Sequence, residues 1–414
     1  MSHDGPVQSW AEDFDIFDRG FVADPYPVWS ELRSGGCPVA HSDRWGGAYM
    51  PTRYEDVAAI AHDTEHFSSV QVSVTEQALP DGRHPRTPPI TSDPPDHTWA
   101  RRLLLPFFSP KVVERYEAVT RRLAGELIDR FRADGRADAA ADYAQQIPPR
   151  IIAEILGIPV ERSDEFTEWV RGTLEFGAQD PELREHYRLI LVDFFRSTVA
   201  QRRAEIDAGR PGQDIITFLL QQHSPDGEPL RDGFAVNVCT LLLVAGIDTT
   251  WSSIGSALWH LGQHPEDCAR LAADVAAARA RGAKPELLPI AVEELLRAYS
   301  PVTMARIVKE DVEVAGCPMH AGERVLLTFP AANRDPAVFP DAEKVVIDRE
   351  VNRHIAFGVG IHRCAGSNLA RMEMNVALEE WLARIPDYRL ADPAAVTWAG
   401  GQVRGPRSLP VEWT

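Results

Sequence analysis

Residues 354–374 read HIAFGVGIHRCAGSNLARMEM, and this stretch decides the fold. Cys364 closes a glycine-rich loop and stands directly before a helix expected from Ser367 to Ile385, which Pro386 stops. Gly358, Gly360 and Gly366 let the backbone turn tightly and bring N–H groups toward the sulfur. The positive end of the following helix favours a thiolate over a thiol. Phe357 offers an apolar wall, and His362 and Arg363 add positive charge. Such surroundings suit a thiolate metal ligand. No CxxC partner lies nearby, which makes zinc and iron–sulfur sites poor candidates, and the absence of CxxCH excludes a covalent c-type haem. The residues alone leave a buried free cysteine as the alternative.

The order Phe357-Gly358-x-Gly360-x-His362-x-Cys364-x-Gly366 resembles the haem-binding signature of the cytochrome P450 superfamily at every fixed position. The resemblance implies a mainly α fold with a smaller β-rich region, its haem between a long central helix and the Cys-bearing loop and helix. It makes Cys364 the axial thiolate of haem b (iron protoporphyrin IX) and places Phe357 and Gly358 against the cofactor.

Three other segments bear on this. Ala245-Gly246-Ile247-Asp248-Thr249-Thr250 sits inside a helical stretch expected from about Arg231 to Leu261. Asp and Thr compete with the backbone for hydrogen bonds, and Gly246 weakens a helix by roughly 1 kcal/mol, so the cluster is locally unfavourable. Polar residues satisfied at a kink would account for it; so would function. It resembles the oxygen-activation motif of the superfamily, which implies Thr249 as the catalytic hydroxyl and Asp248 as the proton relay. Glu294 and Arg297 share a helix face, and an exposed pair of this kind contributes only about 0.2–0.5 kcal/mol. The superfamily instead buries the pair against a downstream arginine, implying a structural triad of Glu294, Arg297 and Arg349. The acid that often stands three residues before that arginine is replaced by Val346. In Asp93-Pro-Pro-Asp-His97-Thr-Trp-Ala-Arg101-Arg102, His97 and Arg101 share a face, and Asp93 is a candidate helix cap. The resemblance assigns His97 and Arg101, with Arg306 and His362, to the haem propionates; unpaired, such buried carboxylates would cost several kcal/mol. Asp24-Pro-Tyr26 and Asn333-Arg-Asp-Pro336 are further family-typical segments, so the likeness spans nearly the whole chain.

Around these motifs the pattern is helical from about residue 96 to 300, including residues 112–131 and the LLRAYSPV run at 295–302, and β-rich near the N-terminus and after 301. Short β-like runs begin at Cys37 and Gly47, a helix is expected over Tyr54–His62, and the proline-rich segment 79–95 reads as a surface loop. No linker divides the 414 residues, so a single domain, 1–414, is expected. The net charge of −18 argues against nucleic acid and anionic membranes as partners. The apolar run Phe234–Ile247 is shorter than the roughly 20 residues of a membrane span, and the polar, acidic N-terminus does not read as a signal, so a cytoplasmic location is expected. Five cysteines make no disulfide framework, and the other four read as structural.

The expectation is a monomeric haem-thiolate monooxygenase. It would insert one oxygen atom from O₂ into a small apolar organic substrate by hydroxylation, epoxidation or O-demethylation. No electron-transfer module is fused to the chain, so a ferredoxin and an NAD(P)H-dependent ferredoxin reductase are implied as partners. Arg101, Arg102, Arg363 and Arg371 are candidates for a basic docking patch on the cysteine side. Leu241, Val244, Ala245, Val302 and Met304 are the expected pocket lining, though ordinary core packing would use the same residues. The competing readings are a peroxide-driven hydroxylase, against which the Asp248–Thr249 pair argues, a non-catalytic haem sensor, and a helical scaffold without haem.

Overall fold

A helix that is apolar on all sides has to be buried, and Asp232–Gln263 is one. The computed structural model, which describes residues 5–35, 38–76 and 84–414, places this 32-residue helix through the middle of the molecule. At about 1.5 Å per residue it spans roughly 48 Å. Phe234–Ile247 alone is shorter than a membrane span, but the whole helix is long and apolar enough to be one. Here its apolar side chains are covered by the protein itself, and 21 of its residues are buried. Gly246 lets it approach the helix Ile147–Leu156: an added Cβ would come within 2.9 Å of the Ile152 side chain. The glycine that costs helix propensity is thus required by packing.

Long helices surround it. Pro110–Phe131 packs on Ser367–Arg384, which follows the Cys364 loop. Ser163–Leu174 and the 27-residue Pro181–Asp207 lie across the opposite side and form a roof. Asp180 starts the roof helix by accepting hydrogen bonds from the N–H groups of Glu182 and Leu183.

The two β-rich regions join in one five-stranded sheet. Its order is Val39–Ser42, Ala48–Pro51, Arg324–Leu327, Met304–Val308 and Phe67–Ser68. Ala48–Pro51 and Arg324–Leu327 pair in parallel, and the other pairs are antiparallel. Arg306 is delivered by this sheet, opposite Val325.

Several boundaries differ from the sequence pattern. The helix over Tyr54–His62 forms as expected, whereas the helix that carries Glu294 ends at Ala298, and Pro301 and Val302 lie beyond it. Arg136–Asp138 is a short strand within the helical body, because Pro410–Glu412 from the chain's end pairs with it. The strand expected from Cys37 starts at Val39, and Cys37 itself lies outside the described residues. Residues 79–83 of the expected surface loop also lie outside them; within 84–95 Pro89 is buried, Arg86, Pro94 and Pro95 are exposed, and the rest are half-buried.

Candidate active site

The Cys364 loop is shaped by two left-handed glycines, Gly358 at φ +68° and Gly360 at φ +75°. At Gly360 a Cβ would stand 2.6 Å from the Ala61 carbonyl oxygen, so no other residue fits. The Cys364 N–H donates to the Phe357 oxygen at 2.8 Å and closes the loop. Behind it, Glu293 accepts from Arg371 at 2.6 and 2.7 Å and bonds His354 at 3.0 Å. The Arg371 guanidinium also lies over the Phe357 ring, 4.4 Å from its centre. Arg371 is therefore a brace of the loop, and the sequence-based docking patch loses it. Burial pushes the Cys364 thiol up; the Gly366 N–H, Arg101, Arg363 and Arg371 pull the other way without cancelling it. A metal is what would deprotonate this sulfur.

Four basic groups gather beside the loop. Arg101, Arg306 and His362 face the same cavity as Cys364. His97 lies behind them, 3% exposed, with its ring centre 4.2 Å from that of His362. Arg101 donates to the Arg363 carbonyl. Among the described residues the Arg306 side chain donates only to its neighbour's oxygen, Ala305 at 2.8 Å. The buried His97 Nε2 has no partner among the described residues. Asp93 is the nearby acid, but Ser68 and the Ser69 N–H hold its two oxygens at 2.5 and 2.8 Å, so it does not cap the helix Asp96–Leu104. Ser69, unforeseen from sequence, bonds His362 Nε2 at 2.9 Å. Uncompensated cations in close quarters resist being charged. Burial, then Arg306, His97 and Arg101, push His362 down to about 2, and burial pushes Arg306 down to about 10. A clustered, acid-poor cationic cradle beside a cavity-facing cysteine fits a flat iron-bearing ring with two carboxylate arms. The residues present therefore fit haem.

The central helix passes across this cavity. Thr249 lines it and donates from Oγ1 to the Ala245 oxygen at 3.0 Å, which leaves the hydroxyl oxygen able to accept. Asp248 points away and is 1% exposed. Arg407 donates to its Oδ1 at 2.8 Å, and Ser252 at 3.2 Å. Arg407 also donates to Glu175 at 2.8 Å, and Glu175 in turn holds Arg171 at 2.9 and 3.0 Å. Burial raises the Asp248 carboxyl above its ordinary value; Arg407 opposes the shift. No local pattern in the sequence marks Arg407 or Glu175.

Glu294 and Arg297 are both fully buried, unlike an ordinary surface pair, and form a two-pronged pair at 2.8 Å. Arg349 adds a bond to Glu294 at 2.9 Å. Where the acid is missing, Val346 contributes only its backbone N–H, to Glu294 at 2.8 Å, and the buried Arg349 Nη2 has no partner among the described residues. Arg297 also donates to the oxygens of Asn333, Ala342 and Lys344, tying down the irregular chain before the cysteine loop.

The cavity measures ≈ 950 Å³. Leu241, Val244, Ala245, Val302 and Met304 all line it, as expected. The proline-rich loop contributes Pro89, Ile90 and Thr91, and the roof helix contributes its first three turns.

A family model described as Cytochrome P450 matches residues 48–385. Mycinamicin IV hydroxylase/epoxidase of Micromonospora griseorubida is 35% identical, covering 88% of this chain and 89% of its own. Nocardicin C N-oxygenase of Nocardia uniformis subsp. tsuyamanensis is also 35% identical, over 96% and 98%. The structure of cytochrome P450 CYP109Q5 from Chondromyces apiculatus superposes with a TM-score of 0.82 at 32% identity, covering 98% and 99% of the two chains.

Proposed function

This chain belongs to the cytochrome P450 family and is a haem-thiolate monooxygenase, and from that premise we propose how its own residues divide the work within one domain, 1–414. When bound, haem supplies the oxygen chemistry: one atom of O₂ enters the substrate, the other leaves as water, and a redox partner provides two electrons. The Cys364 sulfur holds the iron, with the Gly366 N–H and nearby arginines stabilising its charge. Arg101, Arg306 and His362 take the two carboxylate arms, and His97 supports His362 from behind. Phe357 and Gly358 form the loop wall against the ring.

Proton delivery is assigned to two groups on the central helix. Thr249 Oγ1 passes a proton at the cavity surface, and the Asp248 carboxyl resupplies it from the Arg407–Glu175 side. Leu241, Val244, Ala245, Val302 and Met304 hold an apolar part of the substrate and exclude water around the carbon to be oxidised. Hydroxylation, epoxidation and O-demethylation are all open to such a site. Glu294, Arg297 and Arg349 contribute by holding the loop in place.

The electron donor is a ferredoxin, itself reduced by an NAD(P)H-dependent reductase, and the enzyme works as a cytoplasmic monomer. The exposed Arg102 and Arg363 are the cationic contacts for that donor. Arg102→Glu should slow reduction by ferredoxin and flatten its dependence on salt; a rate indifferent to both would remove Arg102 from the contact.

The single observation carrying this reading is the cavity-facing Cys364 among basic side chains that lack anionic partners. The test is the carbon monoxide spectrum of the reduced protein. The wild-type chain should show the red-shifted band of a thiolate-ligated haem, and Cys364→Ala should lose it. Retention of that band in the variant rejects the ligand.

A further inference from the structure

The roof helix brings two arginines to the cavity one turn apart. Arg184, Arg188 and Leu191 recur at intervals of four and three, so they share one helix face, and all three line the cavity. Arg188 is neutralised: it donates to Glu185 from Nε and Nη2 at 2.6 and 2.7 Å. Arg184 is not. Its side chain makes no hydrogen bond or ion pair among the described residues, and Asp180 and Glu185 influence it only at longer range. Asp180 already receives the N–H groups of Glu182 and Leu183. Partial burial disfavours the Arg184 charge and lowers its pKa, so the guanidinium stands on the wall without the partner that would repay its desolvation.

The rest of the cavity states what else an occupant must satisfy. Leu241, Val244, Ala245, Val302 and Met304 line it with apolar groups. Val70 and Leu189, which also line it, remain 43% and 44% exposed, a large fraction for apolar side chains. An occupant that covers them as well as the apolar lining has an apolar body. An occupant that reaches Arg184 also ends in an anion.

We propose that Arg184 is a substrate-binding residue of this enzyme and that the substrate is an amphipathic monocarboxylate, its apolar body toward Thr249 and its carboxylate paired with Arg184. One unneutralised guanidinium matches one negative charge, and its planar fork matches a carboxylate. A phosphate monoester, a dianion, would need a second free cation, and Arg188 is already committed to Glu185. The proposal rests on the monooxygenase reading above and narrows its substrate from an apolar compound to an apolar acid.

The test uses the purified holoenzyme and two probes of equal chain length, dodecanoate and methyl dodecanoate. Binding is read from the spectral shift of the haem and, in parallel, by calorimetry. Wild-type protein should bind dodecanoate about tenfold more tightly than the ester or better, the lower end expected for a hydrogen bond to a charged group. Arg184→Gln should abolish the difference by weakening dodecanoate alone, and Arg184→Lys should restore part of it. A wild-type protein that binds neither probe, binds both equally, or keeps its preference in Arg184→Gln overturns the proposal. The carbon monoxide band of each protein separates the two readings: an intact band without carboxylate preference rejects the Arg184 assignment and leaves the haem-thiolate site standing.

Discussion

Arg407 is the residue on which the buried acid of the central helix depends, and its replacement gives a prediction that can be worked through. Asp248 is 1% exposed and the Arg407 side chain 6%. Arg407→Met keeps the volume and removes the donors. Asp248 then retains only Ser252, at 3.2 Å, whereas Glu175 keeps both bonds from Arg171. The loss therefore falls on one carboxylate. Removing one partner of a buried pair costs about 3–5 kcal/mol, while replacing both with neutral groups is often close to neutral. Arg407→Met should accordingly lose about 3 kcal/mol at pH 7.5, and the double variant Asp248→Asn/Arg407→Met only about 1 kcal/mol. The pH dependence has a definite sign. Burial already raises the Asp248 carboxyl, and Arg407 is the group that opposes it. Without Arg407 the folded-state value rises further above the unfolded one, so the folded variant binds a proton the unfolded chain does not. Its deficit grows with rising pH across that window and shrinks on acidification, by up to about 1.4 kcal/mol per pH unit. Denaturant unfolding of the wild type, Arg407→Met, Asp248→Asn and the double variant at pH 5.5 and 7.5 measures both effects. Additive single and double variants, or a deficit that deepens at the lower pH, would refute the reasoning.

Further outcomes follow from the same geometry. Thr249→Ala should go on consuming NAD(P)H while releasing peroxide in place of oxidised substrate, because the hydroxyl at the cavity surface is gone; unchanged coupling, measured as product formed per NAD(P)H, takes Thr249 out of proton delivery. Asp248→Asn should slow turnover with a larger solvent deuterium effect, and a wild-type rate would end its assignment as a relay. Arg306→Ala should lose haem faster to apomyoglobin than the wild type does, since it removes a buried cation from the cradle; equal loss rates count against a propionate contact. Glu293 is held down to about 2 from the ordinary 4.5 by Arg371 and His354, against the upward push of burial. A depressed carboxylate stabilises the fold above its unfolded value and loses that contribution as pH falls from about 4.5 toward 2, roughly 3 kcal/mol in full. Solvent at a side chain 31% exposed reduces this to about 1–2 kcal/mol. Glu293→Gln should therefore flatten the acid limb of the stability curve, and an unaltered limb would show that the brace carries no such linkage.

What the sequence determined by itself was whatever is local. The haem loop packs its six defining residues into ten positions, and a helix follows at once, so chain geometry alone sets Cys364 at a helix start. Asp248 and Thr249 stood out because they are costly inside an apolar helix, and Glu294 with Arg297 because residues three apart share a helix face. Burial was decided elsewhere. The same Glu–Arg spacing serves a weak surface pair or a fully buried anchor, and only the chain from Asn333 to Arg349, folding over it, selects the second. The partners of the functional groups were likewise out of reach: Arg407 meets Asp248 across 159 positions, Ser69 meets His362 across 293, and Arg371 reaches Glu293 across 78. No periodicity links residues so far apart. The sequence misdirected at Arg371, to which it gave the exposure of a docking residue. Tertiary packing made Arg371 a brace of the loop and set Pro89, Ile90 and Thr91 of the proline-rich segment on the cavity wall. Sequence placed the reactive groups on their local elements; only the folded chain decided their burial and charge partners, because both depend on segments that become neighbours through folding.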